Sequence, residues 1–107
     1  MAQRQYSHNS EESEKEIERY LNKLTAEAGG LSLKYYNPIA PGYPDRILLF
    51  PDGEVIWVEL KSKGQHPTRL QLHRISRLRN DYNQKVYVCD SRAKAEEIVR
   101  RRLNHEI

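Results

Sequence analysis

The chain has 107 residues, a formal net charge of +3, 37% hydrophobic residues and 31% charged residues. This size predicts one domain with a modest core, so self-association would help to bury apolar surface. The short, dense apolar runs exclude a disordered chain, and none approaches the roughly 20 residues that span a bilayer. The single Cys89 excludes an internal disulfide and cannot supply a multi-thiolate zinc site.

The N-terminal third predicts a loose tail followed by one helix. Residues 1–8 are polar and lack periodicity, which indicates a flexible tail ahead of a single domain over residues 9–107. No apolar export segment follows Met1, so we expect a cytoplasmic protein. From about Asn9 the pattern turns helical, and its apolar residues recur at spacings of three and four at Ile17, Leu21, Leu24 and Ala28.

Three strands are predicted next. Residues 31–35 alternate between apolar and polar, as in a strand, and the proline-rich residues 37–44 form a loop. The apolar runs 47–50 and 55–58 do not alternate, which favours central strands that are buried on both faces. The Pro-Asp-Gly sequence of residues 51–53 is typical of a three-residue hairpin loop between them.

The C-terminal half predicts a helix, a strand and a second helix. Thr68 and Gln71 have the spacing of a capping box, which opens a helix with apolar positions at Leu72, Ile75 and Leu78. Residues 85–89 form the last strand, and Asp90-Ser91 cap the last helix. The predicted order is therefore helix, three strands, helix, strand, helix, which is typical of an α/β fold.

The hairpin brings together the residues that carry chemistry. A three-residue loop places Phe50 opposite Glu54 and, counting outward, Asp45 opposite Glu59. Because side chains alternate along a strand, Asp45, Glu59 and Lys61 then project to the same side. Directly opposed residues have Cβ atoms roughly 4.5–5.5 Å apart, so the two carboxylates repel unless a cation lies between them or one is protonated.

This pattern favours a magnesium-like site. Mg²⁺ is held by one or two carboxylates and completed by water and phosphate, and Lys61 beside it can hold a water or a phosphate oxygen. An ion pair between Lys61 and one acid at a strand end is the alternative. The prediction also depends on the turn, because a two-residue loop would place Asp45 and Glu59 on opposite faces.

The net positive charge is concentrated in residues 59–80, which hold six basic residues against the single acid Glu59. Such a field indicates an anionic partner such as nucleic acid, and a solvated helix face is the alternative.

Three segments in order, Gly42-Tyr43-Pro44-Asp45, Glu59-Leu60-Lys61 and Gln71, resemble the VRR-NUC (virus-type replication-repair nuclease) family of the PD-(D/E)XK superfamily. The resemblance spans residues 14 to 91. It implies a restriction-endonuclease-like core in the order αβββαβ, here with a final helix, and a mixed central sheet flanked by helices.

The resemblance also implies a function. It is that of an endonuclease dependent on Mg²⁺ or Mn²⁺, acting as a homodimer on branched DNA such as four-way (Holliday) junctions, in replication or repair within a bacterial or phage-infected cell. The alternatives are a nuclease for flap, single-stranded or duplex DNA, and a non-catalytic DNA-binding module of the same fold.

The family resemblance assigns roles to individual residues. Asp45 and Glu59 are implied to be metal ligands, together with the backbone carbonyl of Leu60. Lys61 is implied to be the catalytic lysine. Gln71 is implied to be the motif glutamine, a role compatible with the capping box.

Glu14 is implied to be the helix acid of the family, holding a second metal or acting through water. Its position at the edge of the apolar stripe, three residues before Ile17, independently selects it, because an acid facing the sheet is costly unless something binds it. A solvated acid at a helix N-terminus is the alternative. The predicted DNA-phosphate contacts are Lys34, which could also pair with Glu14, and Lys63, Arg69, Arg74 and Arg77.

Overall fold

The computed structural model describes residues 12–103, so the tail predicted over residues 1–8 lies outside the described residues. The elements are α1 (Glu14–Glu27), β1 (Leu31–Lys34), β2 (Arg46–Leu49), β3 (Val55–Leu60), α2 (Arg69–Tyr82), β4 (Lys85–Cys89) and α3 (Arg92–Leu103). This order confirms the predicted αβββαβα arrangement. No helix in this part of the chain is long and apolar enough to cross a membrane.

The four strands form one mixed sheet in the order β1-β2-β3-β4. β1, β2 and β3 pair antiparallel, and β4 pairs parallel with β3 after the crossover through α2. β2 and β3 are therefore the central strands, as predicted. The prediction that both faces of β2 are buried was wrong, because Ile47 and Leu49 are only half-buried on the face away from α1.

Helices cover both faces of the sheet, but unequally. The larger core lies between the sheet and α1 with α3, and it contains Ile17, Leu21, Leu48, Phe50, Ile56, Val58, Leu60, Cys89, Ala95, Ile98 and Val99. The smaller core lies under α2 and contains Ile75, Leu78 and Val86. α2 packs against β4, at one side of the sheet, and this asymmetry leaves room on that face beside the functional residues.

The hairpin has the predicted three-residue loop. The Phe50 N–H donates to the Glu54 carbonyl at 3.1 Å, and the Gly53 N–H donates to the Phe50 carbonyl at 2.9 Å. Gly53 has φ +93°, the left-handed conformation that this loop requires and that glycine adopts without strain. Arg46 pairs with Val58, so the next position of the register places Asp45 beside Glu59.

The predicted start of the first helix, at about Asn9, lies outside the described residues. Within residues 12–103, α1 begins at Glu14 and does not continue back through Ser13, because Ser13 and Glu16 form a capping box. The Ser13 hydroxyl accepts from the Glu16 N–H at 3.1 Å, and the Glu16 carboxylate accepts from the Ser13 N–H at 3.2 Å. Glu12 therefore lies before the helix, and its carbonyl accepts from the Lys63 N–H at 3.0 Å.

The prediction that Leu72 lies on the apolar face of α2 was also wrong. Leu72 is 52% exposed, while Ile75 and Leu78 are buried. Each three-residue step on a helix of 3.6 residues per turn drifts by about 60°. Two such steps rotate Leu72 about 120° away from Leu78 and off the face that contacts the sheet.

Candidate active site

The candidate site lies at the C-terminal end of the central strand β3. The carboxylate of Asp45 accepts from the Leu60 N–H at 2.8 Å, which fixes it at the start of β2. Lys61 Nζ lies 3.5 Å from Glu59 Oε2. The Lys61 N–H donates to the Cys89 carbonyl at 3.0 Å, so the parallel pairing with β4 holds the end of β3 in place. The three residues that the sequence placed together are therefore neighbours.

Glu59 is the most unusual residue of this site. It is 1% exposed, and no hydrogen-bond donor within residues 12–103 reaches its Oε1. Burial, followed by the charge of Asp45, raises the pKa of Glu59 to about 7, and Lys61 only partly offsets this. A buried carboxylate oxygen without a partner costs free energy of folding, and a bound cation would offset that cost.

The other two acids belong to the same electrostatic cluster. Burial raises the pKa of Asp45, although the Leu60 N–H and Lys61 act in the opposite direction. Burial and the charge of Asp45 raise the pKa of Glu14, whose side chain is nevertheless exposed at the rim. The carboxylate of Glu14 therefore interacts with the charges of the site, although its side chain is not buried against the sheet.

The acids fit a divalent cation of the magnesium type. No group of three or more His, Cys, Asp or Glu side chains between residues 12 and 103 is arranged to hold a metal ion by itself. Mg²⁺ does not require such a cage, because it binds through one or two carboxylates and keeps waters and substrate phosphates as its other ligands. Asp45 and Glu59, side by side in the hairpin, are two carboxylates that suit such an open site.

Gln71 makes the predicted capping box at the start of α2. Its Oε1 accepts from the Thr68 N–H at 2.8 Å, and the Thr68 hydroxyl accepts from the Gln71 N–H at 3.2 Å, which confirms the capping box. Gln71 and Asp45 also line the same surface cavity of about 190 Å³. The first turn of α2 therefore borders the cavity beside Asp45.

The predicted DNA contacts have different surroundings. Lys34 lies at the end of β1 close enough to act on the charges of Glu14 and Asp45, and Lys63 and Arg69 are exposed. Arg74 lies over the Tyr43 ring at 4.6 Å, and Arg77 pairs with Asp81 on α2. These two arginines are accessible but already have partners within the chain.

Two supporting acids escaped the sequence analysis. Glu12 accepts from the Arg92 N–H at 2.6 Å and so joins the segment before α1 to the start of α3. Glu18 pairs with Arg46 at 2.8 Å on the face of the sheet opposite Glu59. The Ser-x-x-Glu spacing of Ser13 and Glu16 was the signal that could have placed Glu12 outside the helix.

We expect the metal-free protein to lose stability as the pH rises from about 4.5 to about 7, because the folded state binds more protons than the unfolded state in this window. The raised pKa of Glu59 accounts for a loss on the order of 3 kcal/mol in the free energy of unfolding. Urea unfolding in EDTA at several pH values measures it. Glu59→Gln should flatten the profile, and a wild-type profile that rises with pH across this window would contradict the prediction.

No protein-family model matches the chain. Over 65 residues it is 38% identical to "Putative nuclease p44" of Acyrthosiphon pisum secondary endosymbiont phage 1, a match that covers 61% of this chain and 70% of that relative. A solved structure described as "VRR_NUC domain" aligns with a TM-score of 0.78 and 24% identity, covering 83% of this chain and 96% of that structure. The order and pairing of the elements are thus those of a known nuclease-domain fold.

Proposed function

The chain belongs to the VRR-NUC family of PD-(D/E)XK nucleases, and on this premise we propose that it is a metal-dependent DNA endonuclease that hydrolyses phosphodiester bonds. The observation that carries this proposal is the buried, unpartnered Oε1 of Glu59 beside Asp45 and Lys61. A purely structural ion pair would satisfy both carboxylate oxygens, whereas a metal ligand leaves one available.

Asp45, Glu59 and the carbonyl of Leu60 would hold Mg²⁺ or Mn²⁺, and Glu14 at the rim would hold a second ion or act through water. When bound, the ion would neutralise charge on the scissile phosphate and lower the pKa of the attacking water. The Leu60 N–H keeps Asp45 in position, because the bond of 2.8 Å restrains the carboxylate before any ligand arrives.

Lys61 would orient the attacking water or stabilise the charge that develops on the phosphate. Its side chain is 17% exposed, so its ammonium works in a partly desolvated site where electrostatic interactions are stronger than in water. Attack and departure would be in line, as in other phosphoryl transfers. Gln71, in the first turn of α2, would act as the motif glutamine of the site, since it borders the cavity beside Asp45.

The phosphate backbone of the DNA would contact the basic residues that border the site. Lys34, Lys63 and Arg69 are exposed, and Lys34 already acts on the charges of the acids. Arg74 and Arg77 would extend this path along α2 through guanidinium nitrogens other than Nε, since Arg74 Nε contacts Pro41 and Arg77 Nε contacts Asp81. Such contacts position DNA without reading its sequence.

We further propose that the substrate is branched DNA, such as a four-way junction, and that the enzyme is a homodimer, since two sites related by a two-fold axis suit a symmetric junction. Support comes from the open side of the sheet, where β1 and β2 present apolar side chains away from α1. These side chains are Leu31, Leu33, Ile47 and Leu49, of which Leu31 is 55% and Leu33 is 43% exposed. A second copy would bury this face.

Light scattering at micromolar concentration should give a mass near twice the 12.6 kDa of the chain. Leu33→Glu should produce a monomer, because it places a charge in the centre of the proposed interface. Leu103→Glu, at another exposed apolar position, should remain a dimer. A monomeric wild type, or a Leu33→Glu variant that stays dimeric, would contradict this interface.

A cleavage assay tests the function directly. Linear duplex, flap, single-stranded and four-way junction DNAs are incubated with Mg²⁺, Mn²⁺ or EDTA, and the products are separated by size. We expect metal-dependent cleavage with the junction as the preferred substrate. Binding without cleavage under all conditions would instead indicate a non-catalytic DNA-binding module, and preferred cleavage of linear duplex would overturn the substrate class.

A further inference from the structure

The cavity beside Asp45 is walled by aromatic residues that the proposed chemistry does not use. Tyr35, Tyr36, Asn37 and Tyr43 line it together with Asp45 and Gln71, and its volume is about 190 Å³. That is the space of about six liquid waters at ~30 Å³ each, which suits one flat ring rather than a base pair.

Asn37 gives the first part of the cavity wall a defined shape. Its side-chain oxygen accepts from the Ile39 N–H at 3.1 Å and from the Ala40 N–H at 2.9 Å. Its side-chain nitrogen donates to the Tyr35 hydroxyl at 3.1 Å. These bonds tie the turn of residues 37–40 to the end of β1.

The second part of this loop is held against α2. Arg74 Nε donates to the Pro41 carbonyl at 3.0 Å. Gly42 has φ +95°, and a Cβ at this position would lie 2.7 Å from Leu70 Cγ, so the backbone approaches α2 as closely as glycine permits. Residues 37–42 are thus anchored at both ends rather than hanging freely.

This anchored loop presents two apolar side chains to solvent at the edge of the catalytic cavity. Tyr36 is 77% exposed, and Ile39 is 92% exposed. Their exposure gives no stability to the folded chain, while the anchoring contacts hold them in a fixed position.

We propose that Tyr36 and Ile39 form a wedge for an unpaired nucleobase at a DNA branch point. Tyr36 stacks on the base, since every base has a flat face and aromatic stacking is tolerant of sequence. Ile39 enters the gap between separated bases, as apolar side chains do in proteins that unstack DNA. The inference rests on the proposed function, because the phosphate attached to the stacked base would lie toward Asp45.

Binding experiments in EDTA test the wedge without cleavage. Fluorescence anisotropy measures affinity for a flap DNA, a four-way junction and a linear duplex of equal length. Tyr36→Ala should weaken binding to branched DNA roughly ten- to hundredfold and change duplex binding less than about twofold. Ile39→Ala should act in the same direction, and Tyr36→Phe, which keeps the ring, should bind as the wild type.

Leu103→Ala is the matched control for Ile39→Ala, since Leu103 is another exposed apolar residue, at the end of α3. It should bind all three DNAs like the wild type. The wedge is overturned if Tyr36→Ala weakens duplex and branched DNA equally or leaves both unchanged. It is also overturned if light scattering shows that Tyr36→Ala with Ile39→Ala converts a wild-type dimer to a monomer, because the loop would then bind a second copy.

A second measurement uses the wild-type protein and does not depend on any variant folding. A flap DNA with 5-iodouracil at its first unpaired position is irradiated in the complex, and the cross-linked peptide is sequenced. The cross-link should fall on Tyr36 and should be absent when the label lies within the duplex. A cross-link on another residue would overturn the wedge.

The two proposals can fail separately. Tyr36-dependent binding of branched DNA by a protein that never cuts would remove the endonuclease and keep the wedge. Metal-dependent cutting whose preference for branched over linear DNA survives Tyr36→Ala would remove the wedge and keep the endonuclease.

Discussion

Asp45→Asn and Glu59→Gln are each expected to abolish cleavage while the protein stays folded. Each change keeps the size of the side chain and removes a negative charge that would hold the metal. Loss of a metal ligand removes several kcal/mol of transition-state stabilisation, so the cleavage rate should fall by about 10³-fold or more. Single-turnover cleavage of the preferred DNA with Mg²⁺ measures the effect.

Stability separates this loss from misfolding. Glu59→Gln neutralises a buried carboxylate whose pKa is raised to about 7, so the metal-free variant should unfold at equal or higher urea concentration than the wild type above neutral pH. Addition of Mg²⁺ should raise the melting temperature of the wild type and leave that of Glu59→Gln unchanged, because a ligand stabilises only the state that binds it.

Glu27→Gln is the matched control for these two variants. Glu27 is an exposed acid on α1, and its carboxylate pairs with Lys23 at 3.4 Å. The change removes one negative charge, as in the other two variants, but at a residue with no proposed role in metal binding. It should cleave at the wild-type rate. Wild-type cleavage by either Asp45→Asn or Glu59→Gln would remove the proposed metal site.

Lys61→Ala is expected to lower the cleavage rate by about 10²- to 10⁴-fold, the range for a positioned proton-transfer or charge-stabilising group. The reason is that Lys61 Nζ lies 3.5 Å from Glu59 Oε2, where its ammonium would face a phosphate bound at the proposed metal site. The variant keeps Asp45 and Glu59, so stabilisation of the protein by Mg²⁺ should persist. Single-turnover rates and a thermal melt with and without Mg²⁺ measure the two effects.

A titration distinguishes the chemical role of Lys61 from a loss of structure. Lys61 lowers the pKa of Glu59, so its removal should extend the pH-dependent loss of stability in the metal-free protein to higher pH. Lys63→Ala serves as the control, because Lys63 is an exposed lysine two residues further along. Equal cleavage by wild type and Lys61→Ala would contradict a catalytic lysine.

Local chemistry explains why much of the site could be predicted. The alternation of side chains and the three-residue turn at Pro51-Asp52-Gly53 are enough to place Asp45 beside Glu59, and the observed register confirms this. The Thr68 and Gln71 capping box is equally local, since its bonds close over three residues. The assigned roles in catalysis and DNA binding remain proposals for the experiments above.

Errors arose where one local rule was weighed without another. The apolar spacing alone predicted a helix that continues from about Asn9, whereas the Ser13 capping box starts α1 at Glu14. The three-residue steps of α2 placed Leu72 with Leu78, although their accumulated drift turns Leu72 into solvent.

The sequence by itself determined the order of the elements, the hairpin register and the grouping of Asp45, Glu59 and Lys61, because each follows from bonds between residues close along the chain. Only the tertiary structure decided that Glu59 Oε1 is buried without a partner and that Glu14 stays at the rim. It also decided that the loop of residues 37–42 is anchored to α2 by Arg74. Burial and such contacts depend on which distant elements pack together, and local periodicity carries no information about that packing.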